Sequence, residues 1–350
     1  MHNLQLTEDQ EMVVDTVRKL VADVVAPKVQ ELDEHRTFVR EWFDGLAELG
    51  VYALSVAEDK GGAGMGLLPF VAALESVGAH SGSLARLWIG QVQAALALET
   101  AGATQLDDVL AGGVLATFVG PEHGFRFADG KLTGAAEYLP AAAEADLLVV
   151  AANGADGPVL VACAGGAAQR DALHGLGLNS AGCARVTCEG VAADAVASGD
   201  GAKLAIERAQ VAAWVGTAAA AVGGGTGAIE QAKRHAGERI AFGKPLLAQQ
   251  AVQRKLVESQ RAVEGARQQT WHAARLVDLQ QPAVESAMQA RIAAVDAMVL
   301  SADEAIQIHG GFGYTVEYHV ERHYRDGKCF EVLDGGSDGL RDQLAARQFG

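Results

Sequence analysis

From Ala209 to Ile229 the chain is mostly alanine and glycine at helical spacing, and this stretch limits what the whole can become. A helix with so little side-chain volume gains stability only where neighbouring backbones approach it closely. The Ala/Gly stripe between Val211 and Ile229 therefore predicts a buried helix packed tightly against others. Gly223-Gly224-Gly225-Thr226-Gly227 has the look of a phosphate loop, but it follows no strand and lies inside the helical pattern, which favours tight packing. The stretch is also long enough to span a bilayer. Its small side chains, with Gln210 and Thr217 among them, read instead as a protein interior, without membrane insertion.

The rest of the chain falls into three parts around this feature. Met12, Val13, Val17, Leu20, Val21 and Val24 predict a helix within 4–26, with Thr7 and Gln10 spaced as a capping box and Pro27 as a break. Trp42 to Leu49 predicts a second helix ending at Gly50, followed by a short extended piece over 51–56 and a loop over 59–64. Apolar helices over 67–78, 84–102 and 106–111 complete an N-terminal α-helical domain, 1–113. From Val114 the character changes. Segments 132–133, 147–151, 158–163 and 184–188 read as strands between Gly, Ala and Asp turns, giving a middle β domain, a small barrel or sandwich, over 114–198. Helices return over 201–275, break at Pro282 and resume over 284–308. Two long helices with a short connection predict antiparallel packing within a C-terminal α-helical bundle, 199–350.

A net charge of −16 with 49% hydrophobic residues describes an acidic globular protein and argues against nucleic acid as its main partner. Cys163, Cys183, Cys188 and Cys329 show neither metal-ligand nor disulfide spacing, so free thiols, no metal and a reducing cytoplasm are expected. The first ten residues lack the basic and apolar blocks of a signal peptide.

The chemistry concentrates in 303–341. His309-Gly310-Gly311-Phe312-Gly313-Tyr314 is a glycine-dense break after an apolar helix, where backbone can approach a ligand closely. Leu333-Asp334-Gly335-Gly336-Ser337-Asp338 is a second glycine loop holding a carboxylate. On the residues alone, these are either a site for a large ligand with one acid or base, or two helix-ending turns. The run Gln307-Ile308-His309-Gly310-Gly311-x-Gly313-Tyr314, then Glu317-Tyr318-x-Val320-Glu321-Arg322-x-Tyr324-Arg325-Asp326, resembles the C-terminal signature of the acyl-CoA dehydrogenase family. Glu238-Arg239-x-x-Phe242-Gly243-Lys244-Pro245 with Gln250-x-x-Gln253 is similar to a second family signature, and 6–10, 49–51 and 58–64 resemble its N-terminal domain. The α–β–α order matches over almost the whole chain. The resemblance implies an α+β fold of acyl-CoA dehydrogenase type: N-terminal helical domain, small middle β-barrel and C-terminal four-helix bundle.

The resemblance also implies FAD shared across a dimer interface. Arg239, Phe242 and Gln250 would reach the adenosine diphosphate half, and the partner's equivalents of Gln307, Gly310 and Gly311 would meet the same cofactor. An arginine fork suits a pyrophosphate and glycine N–H groups can approach one. Gly336 and Asp338 in the second glycine loop, with the backbone at Val119 and Pro121, complete the expected cofactor contacts. The flavin-ring motifs are altered. Val119-Gly120-Pro121-Glu122-His123-Gly124-Phe125-Arg126 stands where the family carries Thr-Glu-Pro-x-x-Gly-Ser-Asp, and Tyr138-Leu139-Pro140 where it carries a Trp-Ile-Thr/Ser element that covers the ring.

The family's catalytic glutamate corresponds to Asp334, shorter by one methylene. The region where other members carry the base, about 212–215, holds no acid, and Glu207 and Arg208 lie more than a helical turn earlier. Asp334 is therefore the base or there is none, unless it serves as a helix cap before Gly335. The resemblance implies α,β-dehydrogenation of an acyl-CoA, with electrons passed to an electron-transfer flavoprotein, by a homo- or heterotetramer. Two alternatives stand beside it. One is a catalytically silent subunit paired with an active paralogue, as in steroid side-chain degradation. The other is a flavin enzyme similar to nitroalkane oxidases, which use an aspartate base.

Overall fold

The structure, a computed structural model, describes residues 4–350. Helix α1 (Glu8–Leu20) opens on the expected capping box, the Thr7 hydroxyl accepting from the Gln10 N–H and the Gln10 side chain accepting from the Thr7 N–H. The chain winds more loosely over Val21–Val25 and breaks before Pro27. Short helices α2 (Val29–Glu34) and α3 (Arg40–Glu48) follow, and Gly50 ends α3 in the left-handed region. Val51–Ala53 is one turn of 3₁₀-helix, not the extended piece its β-branched residue suggested. Tertiary packing decides this: Val51 and Tyr52 are buried, and the Tyr52 hydroxyl donates to the Phe43 carbonyl at 2.8 Å. Helices α4 (Leu67–His80), α5 (Gly82–Ala101) and α6 (Leu106–Leu110) complete the N-terminal part.

The middle part is one eight-stranded sheet: β1 (Ala116–Val119), β2 (Phe125–Ala128), β3 (Lys131–Leu139), β4 (Leu147–Gly154), β5 (Gly157–Ala164), β6 (Gln169–Ala172), β7 (Ala184–Ala192) and β8 (Asp194–Ser198). All four expected strands are present, and β1, β2, β6 and β8 were missed. Each of those four is only four or five residues long, too short to show a period of two. The order is β6-β7-β3-β2-β4-β5-β8, with β1 and β2 both parallel to β4 and the other pairs antiparallel. The sheet has its own core around Phe125, Leu132, Leu148 and Val186.

Helix α7 (Gly199–Glu238) runs 40 residues and carries the Ala/Gly stripe. A small hairpin, β9 (Ile240–Ala241) and β10 (Lys244–Pro245), leads to α8 (Gln250–Asp278), α9 (Val284–His309), α10 (Glu321–Phe330) and α11 (Ser337–Phe349). Asp278 at the end of α8 reaches back to the start of α4 and accepts from the N–H groups of Leu67 and Leu68 at 2.6 and 3.1 Å. Among the described residues, no helix is long and apolar enough to cross a membrane. All four cysteines are free and buried.

A buried ionic knot joins α2 to α10. Asp33 accepts from Arg325 at 2.6 Å and lies 3.5 Å from the His319 ring. Burial pushes the Asp33 carboxyl up, but the His319 and Arg325 hydrogen bonds and the charges of Arg325 and Arg322 outweigh it and hold its pKa at about 2. Because this pKa is depressed in the fold, its contribution is present above the ordinary carboxylate range and is lost as pH falls from about 4 through about 2. That contribution is about 2 kcal/mol. Urea unfolding between about pH 5 and about pH 2 should show Asp33→Asn losing less stability on acidification than the parent protein. Superimposable pH profiles would remove Asp33 from the account.

Candidate active site

Helix α5 is buried along almost its whole length and still carries a cation, Arg86, with 4% of its side chain exposed. A guanidinium cannot stay charged there without close partners. It finds them in the loop after α10. Arg86 Nη1 donates to Asp334 Oδ2 at 2.7 Å and Nη2 to Oδ1 at 3.0 Å, a bidentate fork. The Thr217 hydroxyl, fully buried on α7, accepts from Arg86 at 3.3 Å and donates to Asp334 Oδ2 at 3.2 Å. Trp214, one turn earlier, donates its indole N–H to the Asp334 carbonyl at 3.1 Å.

The loop is held in an uncommon shape. Asp334, Gly335 and Gly336 all have positive φ, 52°, 90° and 70°. Glycine takes this conformation freely and aspartate is among the few other residues that tolerate it. Arg291 from α9 supports it from beneath, donating to the carbonyls of Phe330 and Leu333 and to the Ser337 hydroxyl. Burial brings the Arg291 pKa down to about 10, with Asp334 acting in the opposite direction. Asp334 does not cap α11, whose N-cap position is Gly336.

A cavity of about 250 Å³ lies over this pair. Arg86 and Gln93 of α5 line it, with Gln210 and Ala213 of α7, Gly120, Glu122 and His123 after β1, Tyr138 to Pro140 at the end of β3, and 332–335. The Pro121–His123 turn thus faces the Asp334 loop across one space. The Glu122 side chain keeps 31% of its surface exposed, and its partial burial raises the carboxyl, a shift its own backbone N–H opposes and the Asp334 charge adds to. Burial lowers the His123 imidazole, whose Nε2 sits 3.7 Å from Glu122. Glu207 and Arg208 are elsewhere, on a separate groove with Glu99, to which Arg208 is paired at 2.9 Å.

The other expected site residues gather at a different place. Arg239 and Gln250 are exposed, and Phe242 is 95% exposed at φ 53° on the tip of the hairpin. Gln307, Gly310 and Gly311 are exposed at the end of α9. Stacked rings of His235 and His309, 4.3 Å between centroids, tie the root of the hairpin to the root of the glycine loop. Gly336 and Asp338 are not part of the cavity lining, and Asp338 accepts from Arg341 at 3.0 Å. The Val119 side chain is buried in the sheet core and Pro121 is exposed, so at this turn Gly120, Glu122 and His123 meet the cavity in their place.

This fold has close counterparts among known proteins. Residues 7–110 match the acyl-CoA dehydrogenase N-terminal domain and residues 199–349 the acyl-CoA dehydrogenase C-terminal domain. The chain belongs to the acyl-CoA dehydrogenase family. Members of this family are oxidoreductases acting on CH–CH bonds, and they bind FAD. Human mitochondrial short-chain specific acyl-CoA dehydrogenase is 28% identical over 375 aligned positions, covering 96% of this chain and 89% of that protein. Butyryl-CoA dehydrogenase from Megasphaera elsdenii superimposes with a TM-score of 0.91 at 23% identity, over 100% of both chains. The ChsE4–ChsE5 complex from Mycobacterium tuberculosis gives 0.88 at 24%, also over 100% of both chains.

As an acyl-CoA dehydrogenase family chain, it fits FAD unevenly. The exposed Arg239, Phe242 and Gln250, with the Gly310 loop beside them, suit a pyrophosphate and its adenosine. The ring side has little to offer. The Thr117 hydroxyl is spent on the Pro140 carbonyl at 3.1 Å and the Tyr138 hydroxyl on the Gly177 carbonyl at 3.2 Å.

Arg86, Thr217, Trp214, Glu122 and His123 were not singled out from the sequence for the roles they take here. The one signal available was Arg86 itself, a lone cation in an apolar helix that requires an anion from somewhere.

Proposed function

We propose that this chain works within an FAD-dependent acyl-CoA dehydrogenase as the subunit that completes a partner's cofactor site and does not itself remove the α proton. The reaction of the assembly is α,β-dehydrogenation of an acyl-CoA thioester, in which FAD takes up the hydride and an electron-transfer flavoprotein accepts the electrons. One observation carries the reading: both oxygens of Asp334 are held by Arg86. A general base needs a lone pair within hydrogen-bonding reach of the substrate proton. The fork takes one lone pair on each oxygen and Thr217 takes the second on Oδ2, which leaves one on Oδ1. Turning that one toward a substrate strains a fork whose loss would leave a buried cation unpaired. The cavity points the same way. Ligand pockets usually enclose about 300–1,000 Å³, and a ring and a thioester together would have to share about 250 Å³ here. What the chain offers outward is a large aromatic in a backbone conformation few residues adopt, the pattern of a group kept for a partner.

A second reading has one observation in its favour. Thr217 and Trp214 fix Asp334 at the cavity wall with a precision a base would need. The two readings separate by visible spectroscopy of the purified chain, alone and co-expressed with a paralogous dehydrogenase, under anaerobic titration with acyl-CoAs. The silent-subunit reading expects bleaching only in the pair. It also expects Arg239→Ala in this chain to weaken flavin retention by the pair on the order of tenfold or more. A flavin bleached by a thioester in this chain alone, with the bleaching lost in Asp334→Asn, would replace it with the Asp334-base reading.

A further inference from the structure

We infer that the ionised carboxylate of Glu122 turns a flavin ring away from this chain's own cavity, and that ring binding here follows the protonation of this one side chain. The inference rests on FAD as the cofactor of the proposed function, with the backbone at Val119 and Pro121 as its expected contact, and deepens that reading.

The geometry begins with a one-turn 3₁₀-helix, Pro121–His123, between Gly120 and Gly124. That turn folds the Glu122 side chain back over its own approach strand. A β-carbon placed on Gly120 would lie 2.1 Å from Glu122 Oε2. The carboxylate therefore rests against the stretch of backbone that would hold the ring. The pyrimidine edge of an isoalloxazine presents two carbonyl oxygens and one N–H. An ionised carboxylate only accepts hydrogen bonds, so it repels both carbonyls, whereas a protonated one can donate to either.

The charges of Arg86 and Arg291 pull this carboxyl down, yet neither guanidinium hydrogen-bonds it. In its own turn, His123 is 3.7 Å away, and burial favours its neutral form. From α5, Arg86 is committed to Asp334. From α9, Arg291 is committed to the carbonyls of the loop after α10. From that loop, Asp334 adds a second negative charge. Partial burial raises the Glu122 carboxyl above the ordinary glutamate range. Ring affinity should then rise as pH falls.

The test uses the full chain stripped of flavin and titrated with FAD, read by quenching of flavin fluorescence. ADP serves as a second probe that senses only the outer cluster. The parent protein should bind FAD about tenfold more tightly at about pH 4.5 than at about pH 8, the size of one hydrogen bond gained and one repulsion lost. Glu122→Gln, which keeps the donor and loses the charge, should bind at about pH 8 as tightly as the parent does in acid, with no remaining pH dependence. ADP affinity should be the same in both proteins. Should the glutamine variant fail to fold, Glu122→Ala removes the charge by another route and should also be flat with pH. A pH dependence that persists in either variant overturns the inference, as does FAD binding at about pH 8 that neither variant improves. A failure of the silent-subunit reading would register differently, as thioester bleaching of this chain alone.

Discussion

Replacing Arg86 by leucine is expected to cost the fold about 3–5 kcal/mol, the usual consequence of stranding one half of a buried ion pair. The Asp334 side chain is 12% exposed, and without Arg86 its carboxylate keeps only the Thr217 hydroxyl and the N–H-poor surface of the cavity. Asp334→Asn addresses the pair from the other side and suits the position, because asparagine also tolerates positive φ. The double variant should be more stable than Arg86→Leu alone, since nothing charged is then left unpaired. Urea unfolding of the parent, both single variants and the double variant gives the coupling directly. An Arg86→Leu protein within about 1 kcal/mol of the parent would place the pair in the class of solvated bridges that contribute little. The same variant also bears on function. If Asp334 is a base held in check, removing Arg86 frees it, and thioester-dependent bleaching should then appear in a chain that lacked it.

The contrast between what was legible and what was not follows from sequence distance. The capping box at Thr7, the helix end at Gly50 and the buried Ala/Gly helix are local or periodic, and each was expected from a few neighbouring residues. The exposed cluster around Phe242 and Gly310 was legible as two motifs that each sit within about a dozen residues, and the fold sets them side by side through His235 and His309. Asp334 was legible as a position and not as a state. Its state depends on Arg86, 248 residues earlier, and on Thr217, 117 residues earlier, neither of which any local pattern connects to it. Glu122 was visible only as a departure from the expected motif. Its meaning needed the turn that folds it over Gly120 and the discovery that the Asp334 loop stands across the same cavity. The extended reading of 51–56 failed for a related reason, since the Tyr52 hydroxyl bond to Phe43 and the burial around it override β propensity.

The stripe that set the fold also gives the sharpest stability contrast. Adding one methyl at Gly223 should cost about 3 kcal/mol, at the upper end for overpacking, because the atoms it meets cannot move aside. A β-carbon there would lie 2.1 Å from the Glu75 carbonyl oxygen and 2.8 Å from the Ala79 amide nitrogen, both backbone atoms of α4. The contact is reciprocal along the crossing. A β-carbon on Gly78 would reach the Ala220 carbonyl at 2.3 Å, and one on Gly227 the Ala79 carbonyl at the same distance. Two helices touching backbone to backbone have no rotamer to adjust, so the strain must separate α4 from α7 as a unit. That separation would also disturb Glu75, whose carboxylate takes Arg267 at 2.7 Å and the Trp271 indole N–H at 2.6 Å from α8. Gly265→Ala on α8 is the matched control. Nothing lies within 4 Å of its β-carbon position, so the gain in helix propensity should stabilise the protein by about 0.5–1 kcal/mol. Thermal and urea unfolding of the two alanine variants should therefore move in opposite directions. A Gly223→Ala protein as stable as the parent would mean that α4 and α7 do not meet at backbone contact, and the reading of the stripe as a packing seam would fall with it.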